Sequence, residues 1–124
     1  MDVSVFFNPA CSNCQTAEGL LRERGIDATY VRYLEQAPTN EQLEDVLRKL
    51  GTDDPMEIVR TKEPEYDQLG LAGATRDELI EAMIAHPILI QRPIVIVGDR
   101  AVVARPADRL LALFEEPDGG VEPG

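Results

Sequence analysis

Two cysteines, spaced Cys11-x-x-Cys14, are the residues of this sequence best suited to chemistry. A thiol reacts as its thiolate, and with an ordinary pKa near 8.5 only about 3% of it is ionised at pH 7. Cys11 follows a predicted turn at Asn8-Pro9 and comes just before a predicted helix, whose free N–H groups favour a thiolate. Cys14, one turn later, could attack a bond formed at the Cys11 sulfur. This placement predicts a redox-active pair.

The alternatives for the two cysteines are a packing role and a metal site. A lone cysteine is usually a small core residue, but a C-x-x-C motif at the junction of a strand and a helix is more often redox-active. A closed zinc site needs about four ligands. The chain offers two cysteines and one distant histidine, His86, so we predict no metal and no tightly bound cofactor.

Three arginines beside predicted strands and turns form the second chemical feature. Arg92-Pro93 and Arg105-Pro106 flank the last two predicted strands, and Arg60 ends a short predicted helix. Most of the ten arginines should be solvated surface charges. These three would make an oxyanion clamp if they met at a thiolate, because guanidinium groups bind oxyanions through paired hydrogen bonds. The Arg92-Pro93 bond is also a candidate cis peptide placed against the cysteine loop.

The hydrophobic pattern predicts the elements that carry these residues. Strands are expected at 3–7, 28–33, 94–97 and 101–104, with a Gly98-Asp99 turn between the last two. A helix starts at Ser12, and a final helix covers 107–114. Thr39 with Gln42 and Thr75 with Glu78 form capping boxes in a helical insert at about 39–86. The order βαβ, helical insert, ββα predicts an α/β, thioredoxin-like fold with a four-stranded mixed sheet in one domain, 1–114.

Charge and composition restrict the partners. The 124 residues carry a net charge of −11, which disfavours direct binding to nucleic acid or anionic membranes. No apolar run approaches the roughly 20 residues that span a bilayer, and the first residues do not form a secretory signal. We therefore expect a cytoplasmic protein, and a monomer. Residues 115–124, rich in acids, Gly and Pro, are predicted to be a disordered tail.

Several segments together resemble the glutaredoxin-dependent arsenate reductases, in that family's order and at nearly its spacing. They are Asn8-Pro9-Ala10-Cys11, Tyr33-Leu34-Glu35 with Pro38-Thr39, Val59-Arg60-Thr61-Lys62-Glu63, the run from His86 to Val95, and Ala104-Arg105-Pro106. The resemblance extends from Val3 to about Phe114. It implies that Cys11 is the nucleophile and that Arg60, Arg92 and Arg105 bind the oxyanion.

The resemblance also implies a reaction. The Cys11 thiolate attacks arsenate and forms a covalent adduct, a thiol such as glutathione reduces the arsenic to arsenite, and glutaredoxin completes the cycle. The arginines would offset the negative charge of substrate and adduct. Three positions differ from the family pattern: Phe7 stands where a histidine is frequent, Cys14 where serine is frequent, and Gln15 where arginine is frequent. Cys14 opens an intramolecular disulfide route, which favours thioredoxin as the reductant.

Two other functions are compatible with the same residues. The Cys-x-x-Cys motif is similar to that of Spx-type regulators, which bind RNA polymerase and use the cysteine pair as a redox switch. Such sequences typically lack the Arg-Pro after the last strand, whereas this chain has Arg105-Pro106. The other alternative is a general thiol-disulfide oxidoreductase without arsenate activity. Of the three, the sequence favours the arsenate reductase.

Overall fold

A four-stranded sheet forms the centre of the structure, a computed structural model that describes residues 2–114. The strand order is β2-β1-β3-β4, with β1 parallel to β2 and both other pairs antiparallel. This arrangement confirms the predicted four-stranded mixed sheet. The strands are β1 (Val3–Phe6), β2 (Thr29–Val31), β3 (Ile94–Val97) and β4 (Arg100–Val103).

The helices follow the predicted order. They are α1 (Ser12–Glu23), α2 (Asn40–Leu50), α3 (Pro64–Gln68) and α4 (Arg76–Ala85), with 3₁₀ helices at Pro55–Ile58, Pro87–Leu89 and Ala107–Phe114. Both capping boxes are present, at Thr39 and at Thr75, so the two helix starts are confirmed. The short helix α3 was not predicted, because its five residues are too few to show a helical period.

Strand β2 is shorter than the predicted 28–33. It covers three residues, and its register ends at Val31, which pairs with Phe6 of β1. The Tyr33 N–H then donates to the Val31 carbonyl at 3.0 Å, so the backbone turns there and leaves the ladder. Tyr33 consequently lies just beyond the carboxyl end of β2 rather than within the sheet.

Each face of the sheet has its own core. Helix α1 and the final 3₁₀ helix cover one face, and Cys14 is buried there with Ala17 and Leu21. Helices α2 and α4 cover the other face, where Tyr33 is buried with Phe6 and Ile94. Alternate strand residues therefore point into different cores, as a pleated strand requires.

The register of the strands brings four loops to one end of the sheet. Phe6 pairs with Val31 and with Ile94, and Ile94 pairs with Val103. The loops after β1, after β2, before β3 and after β4 therefore lie together at what we call the Cys11 end of the sheet. These loops carry Cys11, Tyr33, Arg92 and Arg105.

The helical insert is fastened to this end by a short backbone bridge. Val59 pairs with Ile90 in an isolated antiparallel bridge, and the Arg60 N–H donates to the Leu89 carbonyl at 2.7 Å. Because Ile90 closely precedes β3, the bridge carries Arg60 to the neighbourhood of Arg92. The prediction that Arg60 ends a short helix is wrong: the 3₁₀ helix ends at Ile58, and Arg60 follows the bridged residue.

Within the insert, Arg76 of α4 joins α2 to the loop that follows it. Its Nη1 and Nη2 donate to the two carboxylate oxygens of Glu44 at 2.6 and 2.7 Å, and its Nε donates to the Asp53 carbonyl at 2.8 Å. The pKa of Glu44 is lowered because its carboxylate accepts these bonds. This fork-shaped contact links α4 to α2 and to the loop after α2.

No helix within residues 2–114 is long and apolar enough to cross a membrane. The predicted disordered tail, 115–124, lies outside the described residues.

Candidate active site

Cys11 is held at the start of α1 by a tightly bonded loop. Cys11 is the residue that caps α1, in an extended backbone conformation, and its N–H donates to the Asn8 carbonyl at 3.0 Å. The Asn8 side chain accepts a bond from the Ala10 N–H at 3.0 Å. Across the loop, Gln15 Nε2 donates to the Pro9 carbonyl at 2.7 Å. These bonds fix the position of the half-exposed Cys11 thiol.

The surroundings of Cys11 favour its thiolate. Burial opposes ionisation, yet the pKa of Cys11 is lowered overall, because the N–H and thiol of Cys14, the N–H of Asn13 and the Arg92 guanidinium together outweigh it. The two amides belong to the first turn of α1, where N–H groups have no partner within the helix. The Cys11 side chain accepts no capping hydrogen bond. The nearby N–H groups and the guanidinium stabilise its negatively charged form.

Cys14 has the opposite character. It is fully buried, and its Sγ accepts a bond from the Asn8 N–H at 3.4 Å. Burial raises the pKa of Cys14 to about 12, and the negative charge of a Cys11 thiolate adds to the effect, while the Asn8 N–H and Arg92 oppose it. Both thiols are free. The pair therefore consists of a sulfur that ionises easily and a sulfur that keeps its proton.

Arg92 is the arginine that acts on Cys11. Its Nη1 donates to the Ile88 carbonyl at 3.4 Å, and its guanidinium lowers the pKa of Cys11. The Arg92-Pro93 peptide is cis, as predicted, and the Arg105-Pro106 peptide is cis as well. Arg105 Nη1 donates to the Arg92 carbonyl at 2.8 Å, so the two arginines are joined through the backbone of the loop before β3.

Arg60 and Arg105 share a small polar cavity. The cavity has a volume of about 180 Å³ and is lined by Arg60, Thr61, Lys62, Gln91 and Arg105. That volume is several times the roughly 30 Å³ of a water molecule, so a small anion fits. Arg60 Nε also donates to the Glu63 carboxylate at 3.0 Å. The structure thus brings Arg92 to Cys11 and brings Arg60 and Arg105 to an adjacent cavity, which Cys11 does not line.

Phe7 and Gln15 occupy the two positions at which arsenate reductases frequently carry a histidine and an arginine. Both make other contacts here. Phe7 is buried and packs edge-on against Tyr30, with ring centroids 5.1 Å apart. Gln15 braces the cysteine loop through the Pro9 carbonyl. Neither residue is charged, and the groups that lower the pKa of Cys11 are the amides of α1, the Cys14 thiol and Arg92.

Sequence reasoning missed the side chains of Tyr33, Lys62 and Glu63. Tyr33 is fully buried and stacks on Phe6, with ring centroids 6.0 Å apart. Burial raises the pKa of Tyr33 to about 12, while Arg92 opposes the rise and the two cysteines add to it. Two signals were available in the sequence. Tyr33 ends a predicted strand parallel to the one before Cys11, and Glu63 follows Arg60 at the spacing of an ion pair.

Within residues 2–114, no group of three or more histidine, cysteine, aspartate or glutamate side chains is arranged to hold a metal ion. The described site presents a Cys11 that favours its thiolate, with hydrogen-bond donors and the Arg92 guanidinium around it.

Comparisons with known proteins agree with this geometry. An arsenate reductase of Neisseria meningitidis serogroup A is 38% identical over 115 residues, which cover 91% of this chain and 98% of that protein. An arsenate reductase of Haemophilus influenzae is 36% identical over 116 residues, which cover 92% of this chain and 100% of that protein. The solved structure of an arsenate reductase from Vibrio cholerae superposes with a TM-score of 0.87 at 35% identity, covering 90% of this chain and 97% of that chain.

The predicted thioredoxin-like fold and the predicted resemblance to arsenate reductases are both confirmed by these similarities. The model of one protein family matches residues 6–113, which include all five residues predicted for the site. With a thiolate-favouring Cys11, a guanidinium beside it and relatives that match over nearly their whole length, the chain belongs to the ArsC family.

Proposed function

We propose that this protein reduces arsenate to arsenite, with Cys11 as the nucleophile and a thiol as the source of electrons. One observation carries the proposal: Cys11 stands at the start of α1 with a lowered pKa, next to the Arg92 guanidinium. A thiolate is the reactive form of cysteine, so a lowered pKa increases the reactive fraction at neutral pH. Membership of the ArsC family supports the choice of substrate.

In the first step, the Cys11 thiolate attacks the arsenic of dihydrogen arsenate. A sulfur–arsenic bond forms and an arsenic–oxygen bond breaks. The departing oxygen leaves as water, with both protons of the substrate, and arsenic stays in its pentavalent state. The product is a doubly negative adduct on Cys11.

Arg60, Arg92 and Arg105 hold the substrate and offset the charge of the adduct. A protein of net charge −11 repels an anionic substrate, so local positive charge is needed where it binds. Arg92 beside Cys11 and the cavity shared by Arg60 and Arg105 support this role. Guanidinium groups also suit a tetrahedral oxyanion, because their N–H groups bind two oxygens at once.

In the second step, a thiol attacks the Cys11 sulfur. The sulfur–arsenic bond breaks and its electron pair stays on arsenic, which is thereby reduced to arsenite after taking up protons. If the thiol is glutathione, a mixed disulfide remains on Cys11 and glutaredoxin removes it. If the thiol is Cys14, an intramolecular disulfide remains and thioredoxin reduces it. The position of Cys14 against Cys11 supports the second route, and its retained proton slows it.

An arsenate-dependent NADPH oxidation assay tests the function and separates the routes. It is run once with glutathione, glutaredoxin and glutathione reductase, and once with thioredoxin and thioredoxin reductase. We expect turnover in at least one system and loss of it in Cys11→Ser, because a serine hydroxyl is not ionised near neutral pH. Loss of turnover in Cys14→Ser with thioredoxin, but not with glutathione, identifies the intramolecular route.

Two other outcomes would replace this function. Turnover of a small disulfide substrate without any arsenate turnover identifies a general thiol-disulfide oxidoreductase. Absence of both activities, together with binding to purified RNA polymerase that changes on oxidation of Cys11 and Cys14, identifies a redox-switch regulator. Activity that survives Cys11→Ser contradicts the assignment of the nucleophile.

A further inference from the structure

Two buried polar groups near the cysteines have no hydrogen-bond partner. Among the side chains of residues 2–114, the buried nitrogen and oxygen atoms without a partner are the Tyr33 hydroxyl and the Arg92 Nε. An unpartnered polar group in a protein interior costs free energy, and most such groups are paired. Both atoms belong to loops at the Cys11 end of the sheet. That two unpartnered groups lie at the same end as Cys11 points to a shared role.

The two groups are close enough to influence each other and the sulfurs. The Arg92 guanidinium opposes the rise in the pKa of Tyr33, and the charges of Cys11 and Cys14 add to that rise. Arg92 in turn lowers the pKa of Cys11. The Tyr33 hydroxyl lies close enough to the guanidinium for Arg92 to lower its pKa, but no atom pair of the two side chains meets hydrogen-bond geometry. Arg92 therefore connects Tyr33 to the Cys11 sulfur.

The two unpartnered groups are chemically able to pair with each other. Arg92 Nε–H is a donor without an acceptor, and the Tyr33 hydroxyl can both accept and donate. Both atoms are buried, so bulk solvent does not reach them. A negative charge on Cys11 draws the Arg92 guanidinium towards the sulfur, and the Tyr33 oxygen is then the acceptor available to its Nε–H.

We propose that Tyr33 is a positioning residue, whose buried hydroxyl holds the Arg92 guanidinium against Cys11 when the site carries negative charge. The inference rests on the proposed function only in taking the Cys11 thiolate as the reactive species. In this arrangement Arg92 Nε donates to the Tyr33 oxygen, Nη1 keeps its bond to the Ile88 carbonyl, and Nη2 is available to the anion. The Tyr33 O–H proton adds a dipole at the same charge. Tyr33 thus acts through Arg92 and is not itself in contact with substrate.

A phenylalanine at position 33 separates this role from a packing role. It keeps the stack on Phe6 and fills the same space, and it removes a hydroxyl that is unpartnered in the structure. Removing such a group usually leaves stability unchanged or raises it. A packing residue and a positioning residue therefore give different results: the first changes stability alone, and the second changes the reactivity of Cys11 in a protein that is at least as stable.

The experiment measures the pKa of Cys11 from the rate of alkylation by iodoacetamide as a function of pH, in the full chain without arsenate. Intact mass confirms that one thiol reacts. We expect Tyr33→Phe to raise the pKa of Cys11 by about half a unit or more, with a thermal midpoint equal to or above that of the parent. Tyr30→Phe is the matched control, because the pKa of Tyr30 responds to burial, Glu18 and Arg22 and not to the cysteines.

A double-mutant cycle tests whether Tyr33 acts through Arg92. In an Arg92→Gln background, adding Tyr33→Phe should leave the pKa of Cys11 unchanged, because the connecting group is gone. An unchanged pKa in Tyr33→Phe itself overturns the proposal, as does an equal shift in both backgrounds. A Tyr33→Phe chain that does not fold also overturns it, since the hydroxyl is then a structural requirement. None of these readouts needs arsenate, so they are independent of whether the protein reduces it.

Discussion

Arg60 and Glu63 form an ion pair beside the candidate active site. Arg60 Nε lies 3.0 Å from the Glu63 carboxylate, and the two side chains are only 20% and 19% exposed. Arg60 is one of the three arginines proposed to bind the oxyanion. Its charge is therefore already shared with a carboxylate of the protein, and in the proposed function Glu63 would compete with arsenate for the same guanidinium.

The first prediction is that Glu63→Gln lowers KM for arsenate and leaves kcat nearly unchanged. The substitution removes a competing negative charge and keeps a side chain of the same size. Ion pairs near a protein surface contribute up to about 1 kcal/mol, so we expect KM to fall about two- to fivefold. Steady-state kinetics over a range of arsenate concentrations measure the change.

The chain supplies a matched control for this prediction. Arg32 and Glu35 form an ion pair at the same sequence spacing, with side chains that are 56% and 69% exposed. Glu35→Gln makes the same change in net charge and should leave KM as it is. A fall in KM of equal size in both variants means that overall charge, and not release of Arg60, is the cause.

A second prediction concerns the arginines around the sulfur. Arg92→Ala should reduce kcat/KM by about 100-fold, the usual cost of removing one preorganised donor to a charged intermediate. It should also raise the pKa of Cys11, because a cation beside the thiolate is lost. Arg105→Ala should impair turnover too, through the cavity and its bond to the Arg92 carbonyl.

Arg22→Ala is the control for both arginine variants. Arg22 lies on α1 with a side chain that is 73% exposed, and it pairs with Glu18 one turn earlier. Arg22→Ala makes the same change in net charge at an exposed position. Turnover should therefore stay close to that of the parent. If all three variants turned over arsenate like the parent protein, the arginines would have no part in binding it.

The third prediction is a pH profile for the two thiols. The pKa of Cys11 is lowered, so its alkylation rate should rise with pH and level off below the range of an ordinary thiol. The pKa of Cys14 is raised to about 12, so Cys14 should stay protonated and unreactive throughout that range. Mass spectrometry should find one modified thiol in the folded protein and two in denaturant. Equal alkylation of both thiols in the folded protein contradicts the asymmetry.

The fourth prediction is a reversible disulfide between Cys11 and Cys14. The two residues are one helical turn apart, which is compatible with the separation of about 5.5 Å between Cα atoms that a disulfide prefers. Closure is local, so little chain entropy opposes it. After mild oxidation, alkylation should modify neither thiol, and the intact chain should be lighter by two hydrogens. An oxidised protein that carries a single adduct on Cys11, with Cys14 free, identifies Cys14 as structural.

The sequence was sufficient for much of the fold because the relevant signals are local. The capping boxes at Thr39 and Thr75 and the turn at Gly98-Asp99 are short patterns with a direct physical cause, and the structure contains the elements that they predicted. The end of β2 could not be predicted in this way. Thr29, Tyr30, Val31 and Tyr33 favour a strand. The bond from the Tyr33 N–H to the Val31 carbonyl decides where the strand stops.

The candidate site was also predictable from the sequence only in part. The position of Cys11 before a helix can be read from neighbouring residues, and so can the amides that favour its thiolate. That Arg92 lies beside Cys11, and that Arg60 lies near Arg92, depends on strand register and on the Val59–Ile90 bridge. Such long-range placement has no signal in a single sequence. The unpartnered Tyr33 hydroxyl is hidden for another reason, since tyrosine in a strand pattern is an ordinary core residue.

The activation of Cys11 draws on parts of the chain that are made at different times. The amides of α1 are available as soon as that helix forms, whereas Arg92 arrives only when β3 pairs with β1. During synthesis the cysteines leave the ribosome long before β3 exists. Until then the Cys11 thiol lacks the contribution of Arg92 to its lowered pKa. Full activation of Cys11 therefore requires the completed sheet.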